Sequence, residues 1–271
     1  MIRIEHLTLG YGGRNLLENV SAAIPAGSLT ALLGRNGTGK STLLRALAGL
    51  GERRGGRVRI DGTELDGIAP QRLAETVAFV ATERVRIANL RCRDVVALGR
   101  APYTNWIGRM QPDDTAVVTR ALASVGMSDY ADRTMERMSD GECQRVMIAR
   151  ALAQETPIIL LDEPTSFLDL PNRYELCSLL AHLAHDEGKC ILFSTHELDI
   201  ALTLCDSVAL IDSPQLHHLP TAEMIRSGHI ERLFSNDTVR FDAATGTISI
   251  SREQSGLHEL PSKKWKKEIQ R

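Results

Sequence analysis

The chain has 271 residues, enough to bury a sizeable core in one large domain or two closely joined ones. Lys and Arg number 32 against 34 Asp and Glu, and the resulting formal net charge of -2 disfavours a protein that binds nucleic acid through bulk positive charge. Aromatic residues make up only 4% of the sequence, few for a protein that stacks bases or presents a large aromatic interface. Composition therefore favours a moderately acidic α/β enzyme.

The cysteines and the N-terminal segment bear on where the chain works. The five cysteines are an odd number without a CxxC pair, and they lie in apolar stretches, where a reduced thiol behaves as a small hydrophobe. The start, MIRIEHLTLG, lacks the basic segment and apolar core of a secretory signal, and no stretch approaches the roughly 18 apolar residues of a membrane span. We therefore expect a cytosolic chain without a disulfide framework or a zinc site, and any membrane role would have to come through a partner.

Two kinds of strand pattern occur along the chain. The alternating segment IRIEHLTL, with Ile2, Ile4, Leu7 and Leu9 as its apolar positions, is typical of a half-solvated antiparallel sheet. Continuous apolar runs, which are typical of parallel strands covered on both faces, occur at 29–33, 158–161, 190–193 and 208–211. Helical patterns such as STLLRALAGL and the segment 173–186 lie between these runs, so the sequence predicts a parallel α/β sheet.

The middle of the chain, from about 90 to 155, has few strand signals. It carries helical patterns instead, of which DDTAVVTRALASVG and GECQRVMIARALAQ are the clearest. We predict an α-helical subdomain inserted into the α/β core, over about residues 88–155.

A glycine-rich loop, GRNGTGKS at 34–41, joins the first continuous run to a helical pattern. It fits the phosphate-binding pattern of Gly, any four residues, Gly, Lys and then Ser or Thr, in the strand-to-helix context that this pattern requires. Its glycines let backbone N–H groups converge on phosphate oxygens, Lys40 bridges the β- and γ-phosphates, and Ser41 can hold Mg2+. The simpler alternative is an ordinary glycine-rich turn.

Two adjacent acids, Asp162 and Glu163, end the apolar run IILL. A buried strand has no use for two acids unless its carboxyl end opens onto a site, because burying unpaired charge is costly. In a phosphate-binding fold Asp162 would reach Mg2+ and Glu163 would act on the attacking water as general base. The alternative is that the two acids simply end the strand, with Pro164 beginning the loop.

The segment MSDGECQR at 138–145 precedes a helical pattern. Ser139 and Glu142 have the spacing of a capping box, which by itself would start a helix and have no further role. This interpretation is compatible with a functional one, because a capped helix N-terminus is also an anion site.

With this segment, the chain resembles the ATP-binding subunit of ABC transporters over about residues 1–230. MSDGE stands where that family has LSGGQ, GRNGTGKS is similar to its Walker A loop, and IILLDEP is similar to its Walker B strand. SFLD resembles the D-loop, with Asp169 as its acid, and STHE resembles the switch, with His196 as the γ-phosphate sensor. Tyr11 stands where the family stacks an aromatic residue on adenine.

The resemblance implies a P-loop NTPase fold of the ABC ATPase type, with an N-terminal antiparallel β-subdomain and the inserted helical subdomain. The cassette would span 1–235, followed by a short C-terminal extension at 236–271. ATP and Mg2+ are the implied ligands, with Glu163 and His196 as catalytic residues. The implied ATP contacts are Tyr11, Gly34, Arg35, Asn36, Gly37, Thr38, Gly39, Lys40, Ser41 and Thr42.

The resemblance also implies a head-to-tail homodimer, in which Ser139, Gly141 and Glu142 of one copy cover the ATP held by the other. Ser139 and the backbone at Gly141 would add hydrogen bonds and a helix dipole to the γ-phosphate only when the dimer closes. ATP would thereby stabilise the closed state, and hydrolysis would remove the bridging phosphate.

The chain departs from the family pattern at two places. Asp140 and Glu142 add negative charge near a phosphate, where the family has Gly and Gln, so we expect Asp140 to point away from the nucleotide. The Gln that usually follows a strand such as VAFV is replaced by Thr82, or by Glu83 if the loop shifts by one residue. The implied metal ligands are Ser41, Asp162 and Thr82.

The smaller elements have structural alternatives when each is taken alone. His196 could simply begin a helix, since Ser194 and Glu197 repeat the capping-box spacing. Tyr11 could fill a core or an edge strand. The functional interpretation of both residues is favoured because they occur at the expected positions relative to the stronger motifs.

The segment 95–114 resembles the stretch with which importers of chelated iron, haem and cobalamin dock onto their permease. Tyr103, Trp106 and Ile107 are then candidate anchors, although Trp106 could instead pack inside the helical subdomain. The absence of a long regulatory domain after residue 230 weighs against the sugar-importer type, and we read the basic tail KKWKK as a solvated end.

Three functional interpretations remain open. The favoured one is the ATPase subunit of a bacterial importer for an iron-siderophore, haem or cobalamin, peripheral to the cytoplasmic face of the inner membrane. Its partners would be a second copy, a transmembrane permease and, indirectly, a solute-binding protein, but no nucleic acid. The alternatives are a soluble ABC ATPase of DNA repair or translation, which predicts paired cassettes or a basic arm, and a weakly hydrolysing nucleotide-binding regulator.

Overall fold

Strands and helices alternate along most of the chain. A computed structural model describes residues 1–83, 88–104, 110–236, 238–243 and 246–250. The strands are β1 (Ile2–Tyr11), β2 (Arg14–Ile24), β3 (Ser28–Gly34), β4 (Gly55–Ile60), β5 (Thr63–Glu64), β6 (Val77–Val80), β7 (Ile158–Leu161), β8 (Cys190–Ser194), β9 (Ser207–Asp212), β10 (Gln215–Pro220), β11 (Val239–Asp242) and β12 (Thr247–Ile250). The helices are α1 (Lys40–Leu47), α2 (Pro70–Ala74), α3 (Cys92–Ala97), α4 (Pro112–Ser124), α5 (Asp140–Ala153), α6 (Leu170–His185), α7 (Leu198–Leu204), α8 (Thr221–Arg226) and α9 (His229–Phe234).

The N-terminal strands form an antiparallel sheet in the order β2-β1-β4-β5. Ile2 and Ile4 are buried, and burial then passes to the odd positions Leu7 and Leu9. The register shifts between Ile4 and Leu7, where His6 has a φ of 50°. A bulge of this kind adds one residue to the strand, and so it moves the apolar positions from even to odd numbers while one face stays buried. The predicted antiparallel β-subdomain is therefore confirmed.

The central sheet has the strand order β10-β9-β3-β8-β7-β6. The strands β9, β3, β8, β7 and β6 pair in parallel, and only β10 runs antiparallel, against β9. All four continuous apolar runs of the sequence lie in this sheet as β3, β7, β8 and β9. Along β3, Leu32 packs into the core under the antiparallel sheet, whereas Ala31 and Leu33 pack into the core on the helical side. Both faces are thus covered, as the runs predict.

The segment between 88 and 155 contributes the helices α3, α4 and α5, which pack against one another. Their buried residues, such as Val96, Leu122 and Val146, belong to the same core as one face of the central sheet. The predicted helical insertion into an α/β core agrees with this arrangement, while its predicted bounds stay a prediction.

The helix predicted at 173–186 begins earlier than its apolar pattern indicates. Helix α6 starts at Leu170, because Asp169 is its N-cap and accepts a hydrogen bond from the Asn172 amide at 3.2 Å. Pro171 suits the first turn, where a backbone N–H has no intrahelical partner. The cap extends the helix by a turn that carries little apolar periodicity.

Two further expectations concern burial and the membrane. All five cysteines are buried and reduced: Cys92, Cys143, Cys177, Cys190 and Cys205. Within the described ranges, no helix combines the length and apolar character needed to cross a membrane. The predicted docking residues Trp106 and Ile107 and the basic tail at 263–267 lie outside the described residues.

Candidate functional site

The glycine-rich loop leaves the end of β3 and enters α1. Gly34 ends the strand, and a β-carbon at this position would lie 2.7 Å from Thr38 Oγ1, so that only glycine fits without a shift. Thr38 Oγ1 donates to the carbonyl of Arg35 at 2.8 Å and closes the turn. Gly39 caps α1 with a φ of 106°, a conformation that side-chain-bearing residues rarely adopt. The loop therefore curls in front of a helix whose first turn carries no acidic residue to offset its positive end.

Lys40 is buried at the centre of this loop. Its Nζ donates to the carbonyl of Gly34 at 3.0 Å and lies 3.4 Å from His196 Nδ1. Burial lowers the pKa of the Lys40 ammonium, while the nearby charges of Glu163 and Asp162 oppose that shift. The acids that follow β7 are thus close enough to act electrostatically on the lysine of the loop.

Asp162 and Glu163 share a single hydroxyl, that of Ser194. Ser194 Oγ donates to Asp162 Oδ1 at 2.7 Å and accepts from the Glu163 amide at 2.8 Å. Ser194 is fully buried at the end of β8, and α7 begins only at Leu198, where the side chain of Glu197 makes no cap. The capping-box interpretation of Ser194 and Glu197 is therefore wrong. The serine hydroxyl forms its hydrogen bonds with the residues that follow β7 and does not cap a helix.

Glu163 faces His196 across the cleft. Its φ of 50° is unusual for a residue with a side chain, and strained conformations of this kind cluster at functional sites. Glu163 Oε1 accepts from His196 Nε2, and Oε2 accepts from Ser166 Oγ at 3.1 Å. Because the Lys40 ammonium can only donate, His196 Nδ1 is the acceptor and Nε2 carries the proton given to Glu163. Lys40, His196 and Glu163 thus form one hydrogen-bonded line beside the loop.

A cleft of about 610 Å3 brings most of the predicted residues together. Such a volume is typical of sites for small ligands. Its lining residues are Tyr11, Arg14, Leu16, Asn36, Gly37, Gly39, Lys40, Ser41, Thr42, Glu163 and His196. Tyr11, at the end of β1, has 83% of its surface exposed and so offers a free ring at the mouth of the cleft. Asp162 does not line the cleft and is buried behind it, against β8.

Sequence reasoning missed Arg14 and Leu16. They line the cleft because the β1–β2 hairpin pairs Tyr11 with Arg14. The Gly12-Gly13 turn between these strands indicates a hairpin, but it does not give the register that pairs Tyr11 with Arg14.

Thr82 and Glu83, which follow β6, contact different parts of the chain. Thr82 Oγ1 donates to the main-chain carbonyl of Asp162 at 3.0 Å, which places the hydroxyl beside the acids. Glu83 instead forms a largely exposed ion pair with Arg45 at 2.6 Å. Of the two candidates for the missing Gln, Thr82 is thus the one that contacts the Asp162 segment.

The MSDGE segment starts α5 as a complete capping box. Ser139 Oγ accepts from the Glu142 amide at 3.3 Å, and the Glu142 carboxylate accepts from the Ser139 amide at 2.7 Å and from its hydroxyl at 2.9 Å. A β-carbon on Gly141 would lie 3.0 Å from the carbonyl of Phe167, so the start of α5 packs closely on the segment that ends in Asp169. Ser139, Gly141 and Glu142 do not line the cleft of their own chain. Asp140 takes part in an interaction within the chain.

Comparisons with known proteins agree with this geometry. Residues 17–166 match the family described as ABC transporter. The ferric enterobactin transport ATP-binding protein FepC of Escherichia coli (strain K12) is 35% identical over 234 residues, which cover 86% of this chain and 86% of FepC. The cobalamin import ATP-binding protein BtuD of Halobacterium salinarum (strain ATCC 29341 / DSM 671 / R1) is 34% identical over 251 residues, covering 90% of this chain and 62% of BtuD.

A solved structure shows the same fold. It is the dimeric post-hydrolysis state of the ATP-binding cassette MJ0796 bound to ADP and Pi, with a TM-score of 0.72, 25% identity, and coverage of 82% of this chain and 99% of that one. The fold class and the family predicted from the sequence are confirmed. The chain belongs to the ABC transporter family and is an ATP-binding protein and ATPase of that family.

Proposed function

We propose that this chain is the ATP-hydrolysing subunit of an importer for a chelated metal such as an iron-siderophore or a cobalamin. The observation that carries the proposal is the line of Lys40, His196 and Glu163 beside the phosphate-binding loop. Relatives in siderophore and cobalamin import supply the substrate class. Because the cleft would be occupied by ATP, a membrane partner would select the transported substrate.

The loop, Tyr11, Glu163 and His196 then have distinct roles in ATP binding and hydrolysis. The loop amides and Lys40 hold the phosphates of ATP, and Tyr11 covers the adenine from the mouth of the cleft. Glu163 accepts a proton from the attacking water, and His196 orients the γ-phosphate and keeps the Glu163 carboxylate in place. Lys40 leaves the carbonyl of Gly34 when it turns toward the phosphates.

The residues present fit Mg2+. A hard cation prefers oxygen ligands, and Ser41, whose side chain is exposed in the cleft, would hold it directly. The carboxylate of Asp162, buried behind the cleft with its Oδ1 held by Ser194, would reach the ion through water. Thr82 lies beside Asp162 and would support this carboxylate rather than replace it. When bound, the metal supplies neutralisation of the charge that develops on the phosphates.

A head-to-tail homodimer would complete the site. Ser139, Gly141 and Glu142 do not line the cleft of their own chain, so within one chain they have no part in nucleotide binding. In a closed dimer they would cover the ATP of the other copy, as the dimeric cassette with 25% identity suggests.

A groove of about 660 Å3 between α2, the segment that follows α1 and the end of α5 would receive a short helix of the permease. Leu50 at its rim is 67% exposed, and the Tyr103 hydroxyl, from the predicted docking segment, donates to the carbonyl of Gln154 in its lining. Arg150 Nε is buried in this lining and has no hydrogen-bond partner within the described part of the chain. The groove would thus take an apolar helix that ends in an acidic or carbonyl group. This contact would place the chain at the cytoplasmic face of a membrane.

Phosphate release by the purified protein tests the ATPase site. Lys40→Ala should lose ATP affinity, and Glu163→Gln should keep affinity, lose turnover and trap an ATP-dependent dimer, since it removes the base and spares the loop. Unchanged ATP binding by Lys40→Ala or a wild-type rate in Glu163→Gln would contradict the assigned roles.

The identity of the membrane proteins that co-purify with this chain tests the transport part, and we expect a polytopic permease among them. Leu50→Glu should reduce recovery of the complex and leave the basal ATPase rate unchanged. Ile248→Glu, at another exposed apolar position, is the matched control. Recovery of a repair or translation factor in place of a permease would favour the soluble ATPase instead.

A further inference from the structure

The residue after His196 is bound to the neighbouring segment of the site. Glu197 stands at the N-cap position of α7, yet its side chain does not cap that helix. Its Oε1 instead accepts from Thr165 Oγ1 at 3.2 Å and pairs with Arg173 Nη1 at 3.0 Å. Two groups from a different part of the chain thus converge on one carboxylate oxygen.

Arg173 contacts the same segment a second time. Its Nε donates to the carbonyl of Leu168 at 2.7 Å, and the Leu168 amide donates to the carbonyl of Thr165 at 3.0 Å. One guanidinium therefore joins the segment that ends in Asp169 to the residue beside His196. The planar, forked geometry of arginine allows this double contact, which a lysine could not make.

The far side of this segment meets α5. The carbonyl of Phe167 would lie only 3.0 Å from a β-carbon on Gly141, so residues 165–169 lie between the start of α5 and the Glu197 carboxylate. A displacement of the α5 start in a closing dimer would be transmitted to this segment, because the packing leaves no space to absorb it.

The pair is largely removed from water. The side chains of Arg173 and Glu197 are only 32% and 20% exposed. Burial raises the pKa of Glu197, while Arg173 and Thr165 hold it down and Asp199 adds to the rise. The carboxylate would be costly at this depth without its two partners.

We propose that Arg173 and Glu197 form a clamp that positions His196 against Glu163, so that the placement of residues 165–169 sets the rate of ATP hydrolysis. The clamp rests on the proposed roles of Glu163 and His196. Neither clamp residue touches the reacting atoms, and both are positioning residues.

The test measures kcat, ATP affinity and thermal unfolding of Glu197→Gln and Arg173→Met. Each variant should lower kcat about tenfold and leave ATP affinity within about twofold, since the phosphate-binding loop is not altered. The double variant should be no slower than the slower single variant, because the two residues act as a unit. Arg173→Lys, which keeps the charge but loses the fork, should give an intermediate rate.

A comparison in the His196→Ala background separates positioning from general destabilisation. Adding Glu197→Gln there should change kcat by less than about twofold, because the residue it positions is gone. Glu75→Gln, which breaks the Arg72–Glu75 ion pair at 3.2 Å, is the matched control and should leave kcat unchanged.

Two results would overturn the clamp: a wild-type rate in Glu197→Gln, or a loss that multiplies with that of His196→Ala. If Glu163→Gln is inactive while both clamp variants turn over normally, the proposed function stands and the clamp fails. If the wild type shows no hydrolysis that depends on Glu163, the proposed function and the clamp fail together.

Discussion

Glu163 follows β7 and His196 follows β8, and the two side chains meet through one hydrogen bond, from imidazole Nε2 to carboxylate Oε1. The contact leaves Nδ1 to accept from Lys40. The imidazole therefore has a fixed tautomer and orientation before any phosphate enters the cleft.

Loss of this imidazole should slow chemistry more than binding. We expect His196→Ala to lower kcat by about 10²–10³-fold and to change ATP affinity only a few-fold, since the change removes the group that holds the Glu163 carboxylate, and a positioned general base contributes about 10²–10⁴-fold. Single-turnover phosphate release with parallel nucleotide titration measures both. His182→Ala, at a largely exposed histidine, is the control. Full turnover by His196→Ala would remove the residue from the mechanism.

Ser194→Ala should destabilise the fold. The change leaves the buried Asp162 Oδ1 and the Glu163 amide without their shared partner, and each such group costs about 1–3 kcal/mol. Denaturant unfolding should therefore show a loss of at least about 1 kcal/mol. Ser166→Ala removes only an exposed bond to Glu163 and should lose less than about 0.5 kcal/mol. Equal stabilities for the two variants would argue against a supporting role of Ser194.

Glu142→Gln should strengthen ATP-dependent dimerisation. The amide oxygen can still accept from Ser139, so the capping box survives, while a negative charge near the partner's phosphates disappears. In the Glu163→Gln background we expect the dimer to form at about tenfold lower ATP, a gain of about 1.4 kcal/mol for each of the two ATP sites. Light scattering during ATP titration measures this shift. Glu136→Gln, at an exposed acid shortly before the MSDGE segment, is the control. A weaker dimer in Glu142→Gln would contradict this prediction.

Stability should fall on acidification through the histidines of β10. His217 stacks on His229 with ring centroids 3.8 Å apart, and its Nε2 is buried without a hydrogen-bond partner in the described ranges. Burial lowers the pKa of His217, and His229 and Arg232 lower it further while Asp212 opposes them. Burial also lowers the pKa of His218.

The lowered pKa values of His217 and His218 make the folded protein less stable as the pH falls. The unfolded chain takes up protons at the ordinary histidine pKa of about 6.5, before the folded chain does, so this contribution to stability is full above that pH and is lost below it. His217→Gln should show a smaller fall in Tm between pH 7.5 and 5.5 than wild type, by about 2–4 °C for each kcal/mol involved. His182→Gln should match wild type, and an equal fall in His217→Gln would rule out this source of acid sensitivity.

The sequence predicts this site well where function depends on local patterns. The glycine loop, Glu163 after β7 and the buried runs are local, and each has its predicted place in the fold, whereas Asp162 is buried behind the cleft. The start of α6 and the role of Ser194 were missed or misread for a common reason. A cap such as Asp169 has no periodicity, and the capping-box spacing of Ser194 says nothing about an acid 32 residues away that competes for its hydroxyl.

Residues that act through tertiary contacts had no signal at all. Arg173 lies within an apolar helical pattern, and its contacts with Leu168 and Glu197 depend on how α6 packs beside β8. Arg14 lines the cleft only through the hairpin register. Such relationships follow from the assembled fold, since no spacing in the chain encodes them.

The pairing of β8 with its two neighbours has a consequence for the accuracy of the site. Leu32 of β3 is opposite Ser194, and Leu161 of β7 is opposite Phe193, so hydrogen-bonded ladders on both sides fix how far β8 extends. A slip of one residue would carry His196 about 3.3 Å along the sheet and turn Ser194 to the opposite face. The register of the sheet thus fixes where His196 and Ser194 stand relative to Glu163. A single-residue insertion in β8 would therefore impair ATP hydrolysis more than a longer insertion in a surface loop.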